Sequence, residues 1–292
     1  MSFMKETIVK ILPVFLLDAL RRFRLSRALR RPYARLPFAL KDIPAPDFRS
    51  GYADGAQKES PEFKKVMAKL LSFTGAGPVG PNKYWEYPFV LKNLDLKPGL
   101  RILDAGCGRA PLQFLLSELG MVVHGIDPYE NVGWHGIDRR LARKYGLSIE
   151  YRVEGMEKIG YPDGFFDRVM SVSVLEHVRA RPVRDELKTP QSEEDRFLQA
   201  RMIREMVRVL KKGGLLILTL DVMFPDSRTC LEGNIDVQNL LDASGLMFLG
   251  GIPEGFYGSR PFDMRNVLLK KDLDIQDYTG VIGTSLGLIF RK

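Results

Sequence analysis

The sequence predicts an α/β fold: a mainly parallel sheet with helices on both faces, preceded by a helical N-terminal extension. Three observations predict it. From Leu100 onward, short apolar runs alternate with helical patterns. Strands separated by helices need crossover connections, which make neighbouring strands parallel. The glycine-bearing and acidic stretches fall just after strands, at the carboxyl edge where such sheets bind ligands.

Residues 1–41 read as a basic amphipathic helical segment. Met4, Ile8, Ile11, Phe15, Ala19 and Phe23 recur at helical spacing, and Arg21, Arg22, Arg24 and Arg27 follow. Pro13 suits the first turn of a second helix. Lys10, Pro13 and Asp18 interrupt the apolar stretch, which falls short of the roughly 18 apolar residues of a membrane span. No small-residue cleavage site follows, as a signal peptide needs. Two readings stay open: an anchor lying in a membrane surface, or a helix packed on the core or on a second subunit.

Residues 42–94 read as linker and cofactor-covering helices. Pro44, Pro46, Gly51 and Gly55 mark an irregular stretch, and a helix is expected over residues 61–73, followed by a Gly/Pro-rich loop to Pro81. The aromatic run Tyr84-Trp85-Glu86-Tyr87 then comes before the core. It is read either as a cover that excludes water or as a helix pinned to the core by its rings.

Residues 95–292 form the core. Strands are expected at 101–104, 121–126, 148–152, 166–172, 215–220, 246–250 and 286–290. Helices are expected at 111–119, near 139–145, at 193–210 and at 237–244. No repeats or low-complexity tracts occur.

Charge narrows the function. The net charge is +8. Residues 1–41 hold ten bases and two acids, the whole excess, so the remainder is formally neutral. A folded body that grips nucleic acid needs a basic face, and the distribution argues against one. Cys107 and Cys230 can build neither a disulfide framework nor a zinc site, and the chain reads as cytoplasmic.

The strongest local signal is Arg101-Ile-Leu-Asp-Ala-Gly-Cys-Gly-Arg109. Gly106 and Gly108 let the chain turn tightly and a ligand come close. Asp104, set within the turn, suits an ammonium group and would repel a diphosphate, and no Gly-x-Gly-x-x-Gly is completed. Asp127, about 20 residues beyond the first glycine, suits two ribose hydroxyls. A dinucleotide site shares that feature.

Four motifs occur in order: Leu103-Asp-Ala-Gly-Cys-Gly108, Gly125-Ile-Asp127, Phe166-Asp-Arg-Val-Met-Ser-Val-Ser-Val-Leu-Glu-His177 and Val209-Leu-Lys-Lys-Gly-Gly-Leu-Leu216. Together they resemble the class I S-adenosylmethionine-dependent methyltransferases, closest to the small-molecule, type 11-like group. The resemblance covers roughly residues 84–250. It implies a Rossmann-like seven-stranded sheet and S-adenosyl-L-methionine as cofactor. It implies that Asp104, Gly106, Cys107 and Gly108 hold the methionine end and that Asp127 holds ribose. Met156 and Glu157 would flank adenine, Ser173 and Val174 would line the methionine and substrate side, and Tyr84 would belong to the cover. The family often has an aspartate before the Tyr161-Pro-Asp-Gly164 stretch. It is replaced here around Glu154–Met156, which leaves backbone groups as adenine contacts.

His177 and Asp221 are the candidate general bases, each just after a strand. His124 lies within a strand and reads as structural. His135 lies in a Gly-flanked loop facing the ligand end. A metal is not expected, because the two places where metal-using relatives cluster carboxylates hold Ser171 and Ser173 in one and only Asp221 in the other. Residues 179–194 and 251–284, the latter with Phe256, Tyr257, Arg260 and Phe262, are expected to recognise the acceptor.

The expected function is methyl transfer to a small-molecule or glycolipid- or polysaccharide-linked acceptor, peripheral on the inner membrane face. The Trp85-Glu86-Tyr87-Pro88 stretch resembles enzymes of surface polysaccharide pathways. An RNA methyltransferase and a non-catalytic adenosyl-ligand-binding protein remain as alternatives. Asp104 and the incomplete glycine pattern disfavour a nicotinamide-dependent oxidoreductase.

Overall fold

A computed structural model describes residues 36–73, 79–109, 111–128, 134–183, 189, 191–223, 235–250, 274, 276–277 and 282–292. The basic stretch at residues 1–35 lies outside them. In chain order the strands are β1 (Gly51–Tyr52), β2 (Arg101–Ala105), β3 (Val122–Ile126), β4 (Ile149–Arg152), β5 (Phe166–Val172), β6 (Leu210–Met223), β7 (Met247–Phe248), β8 (Gln276–Asp277) and β9 (Ile282–Arg291). The helices are α1 (Gly55–Glu59), α2 (Pro61–Leu71), α3 (Lys83–Asn93), α4 (Pro111–Glu118), α5 (Trp134–Tyr145), α6 (Glu193–Val209) and α7 (Val237–Ser244).

The sheet runs β1-β9-β6-β5-β2-β3-β4, with β7 and β8 also paired to β9. The β2–β3, β2–β5, β3–β4 and β5–β6 ladders are parallel. β9 runs antiparallel to β6, as do β1, β7 and β8 to β9. The order reverses at β2, where the chain steps outward to β3 and then back to β5. In open α/β sheets the crevice at such a reversal is where ligands bind.

Alternation along the strands divides the core into two layers. Leu103, Val169, Leu216 and Leu218 face one side with Met202, Ile203, Met206 and Val209 of α6. Ile102, Met170, Ile217 and Ile289 face the other with Phe63 and Leu70 of α2, Trp85 and Phe89 of α3, and Leu112 and Leu115 of α4. Both faces of the parallel strands are thus buried.

Most strands and helices lie where the sequence places them. β5 and α7 match their expected bounds. β6 and β9 are longer than expected, because they pair with each other from Leu215–Arg291 to Met223–Gly283. The expected irregular wrap contains a sheet edge, since Gly51 and Tyr52 pair with Gly287 and Leu286.

The element that places the site is α3. It lies across β9, and a Cβ on Gly287 would overlap the Phe89 ring. Only glycine permits that approach. Trp85 stacks on Phe89 at 4.5 Å, and its Nε1 donates to Gln57 Oε1 at 3.1 Å.

Ile217 is fully buried in the middle of β6. Truncation there removes packing from a site that cannot collapse freely. Ile217→Ala is expected to lower unfolding free energy by about 2–5 kcal/mol in urea denaturation. A loss of a few tenths would mean that this layer is not the core.

Candidate functional site

The glycine turn between β2 and α4 is held from three sides. Gly106 and Cys107 donate their N–H groups to Ile126 O at 2.9 and 3.0 Å, which ties the turn to β3. Gly108 N donates to Asp127 Oδ2 at 2.9 Å. From α4, Gln113 Nε2 donates to Asp104 Oδ2 at 2.9 Å and to Cys107 O at 2.7 Å. Tyr151 of β4 donates its hydroxyl to Gln113 Oε1 at 2.9 Å. One buried amide thus fixes the carboxylate, the turn and the neighbouring strand.

A cavity of about 400 Å³ opens on this turn. Asp104, Gly106, Cys107, Gly108 and Arg109 form its floor, Lys83 and Tyr87 of α3 its roof, and Leu112, Val172, Ser173 and Val174 its sides. Gly106 has φ 75°, and a Cβ there would sit 2.6 Å from Val174 Cγ1. Ser173 also adopts the left-handed region, at φ 50°, which costs energy for a non-glycine residue.

Burial dominates the electrostatics. It pushes the Asp104 carboxyl up to about 7 against the lowering hydrogen bond from Gln113, and the nearby Asp127 charge raises it further. Lys83 Nζ contacts Glu86 Oε2 at 2.5 Å. Burial alone would lower the Lys83 ammonium, but the charges of Glu86 and Asp221 outweigh it and hold it above its usual value. Burial raises Glu86, which also accepts from Ser173 Oγ at 2.7 Å.

Six of the expected cofactor residues line this cavity: Asp104, Gly106, Cys107, Gly108, Ser173 and Val174. Asp127 adjoins them through Gly108. Met156 is buried in the core layer shared with α6. Glu157 is half-buried, beside Gly155. Glu154 Oε2 accepts from Gly160 N at 2.9 Å. Tyr84 is 38% exposed and is not part of the cavity wall; its neighbours Lys83 and Tyr87 are.

The two expected bases stand apart from that wall. His177, in a short 3-10 turn (Leu175–His177), is exposed. Asp221 accepts from Asn82 Nδ2 at 3.0 and 2.8 Å and from Ser285 Oγ at 3.1 Å, while its N–H donates to Glu176 Oε1 at 2.8 Å. Those bonds make Asp221 an anchor for the start of α3. The premise about metals also changes. Only Asp221 was counted there, yet the fold brings Glu176 and His177 beside it, with ligand-capable atoms all within 4.8 Å of one another. Burial and the Asp221 charge raise Glu176 well above its usual value.

His124 is structural as expected: its Nδ1 lies 2.9 Å from Tyr161 Oη, and its ring packs edge-on to Phe165 and Phe166. The His135 side chain lies outside the described residues. In the first expected recognition loop, Arg179 Nη1 and Ala180 N donate to Asp195 at 3.3 and 2.6 Å; residues 184–188 lie outside the described residues. So do residues 251–273 of the second.

The sequence reading gives Gln113 and Lys83 no role, and includes Glu86 only as the acid within the aromatic cover. Gln113 had a signal: it is the one polar residue among the first six of α4, which are otherwise apolar. Glu86 stands equally alone among aromatic and apolar neighbours in α3.

Gly106→Ala is expected to abolish measurable S-adenosylhomocysteine binding in calorimetry. It should also lower stability by more than about 1 kcal/mol, because both the φ and the space exclude a side chain. Wild-type affinity in this variant would show that the turn does not approach a ligand.

A family model described as a methyltransferase domain matches residues 103–218. Among curated relatives, the ubiquinone biosynthesis O-methyltransferase of Methylocella silvestris is 47% identical over 81 residues, covering 27% of this chain and 30% of that one. Phosphoethanolamine N-methyltransferase 3 of Arabidopsis thaliana is 29% identical over 127 residues, 43% of this chain and 22% of that one. The ubiquinone biosynthesis O-methyltransferase of Chelativorans sp. is 28% identical over 195 residues, 63% of this chain and 62% of that one. The chain thus spans less than a third of the length of the first two relatives. Among solved structures, an S-adenosylmethionine-dependent methyltransferase of Methanosarcina mazei aligns with TM-score 0.43 and 20% identity, over 68% of this chain and 94% of that one. The domain match begins inside β2 and ends inside β6, so it contains the whole glycine turn and the strands that carry it. Over residues 103–218 the chain is thus similar to methyltransferase domains.

Proposed function

We propose that this protein transfers a methyl group from S-adenosylmethionine to a small-molecule acceptor. The observation that carries the reading is the buried Asp104 carboxylate, held by Gln113 beside two glycines at the reversal of a parallel sheet. A carboxylate so placed attracts the ammonium of an amino acid and repels a diphosphate. The fit is supported in size: about 400 Å³ falls in the range of small-ligand cavities.

In this reading Asp104 receives the ammonium, while Gly106, Cys107 and Gly108 let the backbone close on the methionine end. Asp127 takes the ribose hydroxyls, and Met156 and Glu157 flank the purine. Ser173 and Val174 separate the donor from the acceptor. When bound, the donor supplies a methyl group already activated on a sulfonium. The residues of the chain then have two tasks, alignment and exclusion of water, and alignment alone lowers such barriers by several kcal/mol, on the order of 7–11 at best. Among the described residues, His177 is the exposed base nearest Ser173 and Val174 in sequence, and it would serve an acceptor that must lose a proton.

The positive excess confined to residues 1–41 fits a membrane surface, and with it a glycolipid- or polysaccharide-linked acceptor. No helix among the described residues is long and apolar enough to cross a membrane. Liposome sedimentation tests this. Vesicles with anionic lipid should retain the full chain and release a chain lacking residues 1–41; equal retention would remove the anchor.

The cofactor is tested by calorimetry with S-adenosylhomocysteine and NAD. Binding of the first and not the second is expected, and Asp127→Ala should weaken it by about 10-fold or more through lost ribose bonds. Preferential NAD binding would end the reading. The Asp104 carboxyl is raised to about 7 in the ligand-free protein. A raised carboxyl is neutral below that pH, so an ammonium meets a charge only above it. S-adenosylhomocysteine affinity should therefore rise about tenfold per unit as pH climbs toward 7 and then level off. Asp104→Asn should bind weakly with no such slope, and an unchanged slope in that variant would exclude Asp104 as its source. Cofactor turnover with extracted lipids, glycans and RNA as acceptors then separates the acceptor classes.

A further inference from the structure

We propose that Gln199 of α6 is a positioning residue for His177, holding the short turn that presents this base to the acceptor. The inference rests on the reading of His177 as the base for an acceptor that must lose a proton. A base has to lie within hydrogen-bond reach of the proton it removes, and a misplacement of about 1 Å can cost ~100-fold in rate. His177 is exposed, so the direction of its ring depends on how firmly the backbone beneath it is held.

That backbone is closed on itself and then gripped from two sides. His177 N donates to Val174 O at 3.0 Å, and Val178 N to Leu175 O at 3.1 Å. From β6, Asp221 N donates to Glu176 Oε1 at 2.8 Å. From α6, Gln199 Nε2 donates to Leu175 O at 2.8 Å and to Val178 O at 3.3 Å, so one amide holds the residues on both sides of Glu176 and His177. Asp195 lies one helical turn earlier on the same face and accepts from Ala180 N at 2.6 Å. Its carboxylate also accepts from Ser192 N at 2.9 Å as part of the α6 cap, which gives it a use within its own helix. Gln199 stands in the interior of α6, past the reach of capping.

The surroundings make this amide costly. Gln199 is fully buried, on a face whose later residues are Ala200, Met202, Ile203, Met206 and Val209. Its Oε1 is buried and meets no hydrogen-bond partner among the described residues, a penalty that an apolar side chain would avoid. Leu175 O already accepts from Val178 N, so that carbonyl does not need the glutamine. A leucine or methionine would pack the same face without the penalty. What the glutamine adds is a fixed distance between α6 and the turn.

The competing explanation is that Gln199 only stabilises the fold. Gln199→Met keeps the volume and removes both bonds. Its melting temperature should stay within about 4 °C of wild type. Turnover of S-adenosylmethionine, with the lipid or glycan extract that serves the wild-type chain, should fall about 10–100-fold in kcat, while the KM for S-adenosylmethionine stays within about threefold. His177→Gln should lose at least as much. The double variant Gln199→Met/His177→Gln should lose no more than His177→Gln alone, because a residue that works through His177 then has nothing left to position. Losses that multiply in the double variant overturn the proposal, as does a Gln199→Met chain that keeps its kcat or that loses its fold. A second readout needs no acceptor. The chain has three histidines, and the ring signal of His177 in a proton NMR spectrum is the one that disappears in His177→Gln. Gln199→Met should shift that signal and leave the His124 signal in place; an unmoved His177 signal overturns the proposal. Wild-type turnover by His177→Gln would remove the base reading and this inference with it, and S-adenosylhomocysteine binding would still test the donor site separately.

Discussion

One buried carboxylate constrains the architecture of this site. Asp104 is almost fully enclosed. An isolated charge in such a place gives up its hydration and takes a proton instead. The Gln113 amide offsets part of that cost with a hydrogen bond. The same amide grips Cys107 O and is itself held by Tyr151. The acid therefore cannot relax without releasing the turn and the β4 contact together. What remains unbalanced is charge, and in the proposed reading the ammonium of the donor supplies the counter-charge.

The roof over this acid is placed by packing and tied by polar contacts. Gly287 admits the Phe89 ring against β9, and the stack of Trp85 on Phe89 stiffens α3 above the sheet. At the open end of the helix, Asn82 is bound by Asp221, which Ser285 and the Glu176 carboxylate hold in turn. The acids Glu86, Glu176 and Asp221 converge there with Lys83 as counter-charge. So dense a set of ionisable groups is costly to bury, and sites that carry out chemistry are where such cost is retained. The left-handed Ser173, bonded to Glu86, belongs to the same arrangement.

Much of this was legible in the sequence. The alternation of apolar runs located β2 through β6 and α4 through α7, because both faces of a parallel strand are buried and hydrophobicity marks such strands strongly. The turn residues were legible because glycines flanking a cysteine after an acid admit few alternatives. Tyr84 stands off the cavity wall while Lys83 and Tyr87 line it, because aromatic composition marks a helix as buried but does not say which of its residues faces a cavity. Asp221 lies inside β6 and not after it, and its bond to Asn82, 139 residues earlier, has no local signal in the sequence. The 3-10 turn that brings Glu176 and His177 beside Asp221 was equally hidden, since no local pattern records a contact between a turn and a residue of another strand. Gln113 shows the reverse case, a lone polar residue on an apolar helix whose partner could have been inferred.

The claim on which the rest depends is that the carboxylate-bearing turn cradles an amino acid rather than a diphosphate. A crystal structure with S-adenosylhomocysteine bound measures it directly. The ligand's ammonium is expected within hydrogen-bonding distance of Asp104 and its ribose against Asp127. A structure with the amino-acid end pointing away from Asp104, or with a dinucleotide phosphate seated on Gly106 and Gly108, would contradict it.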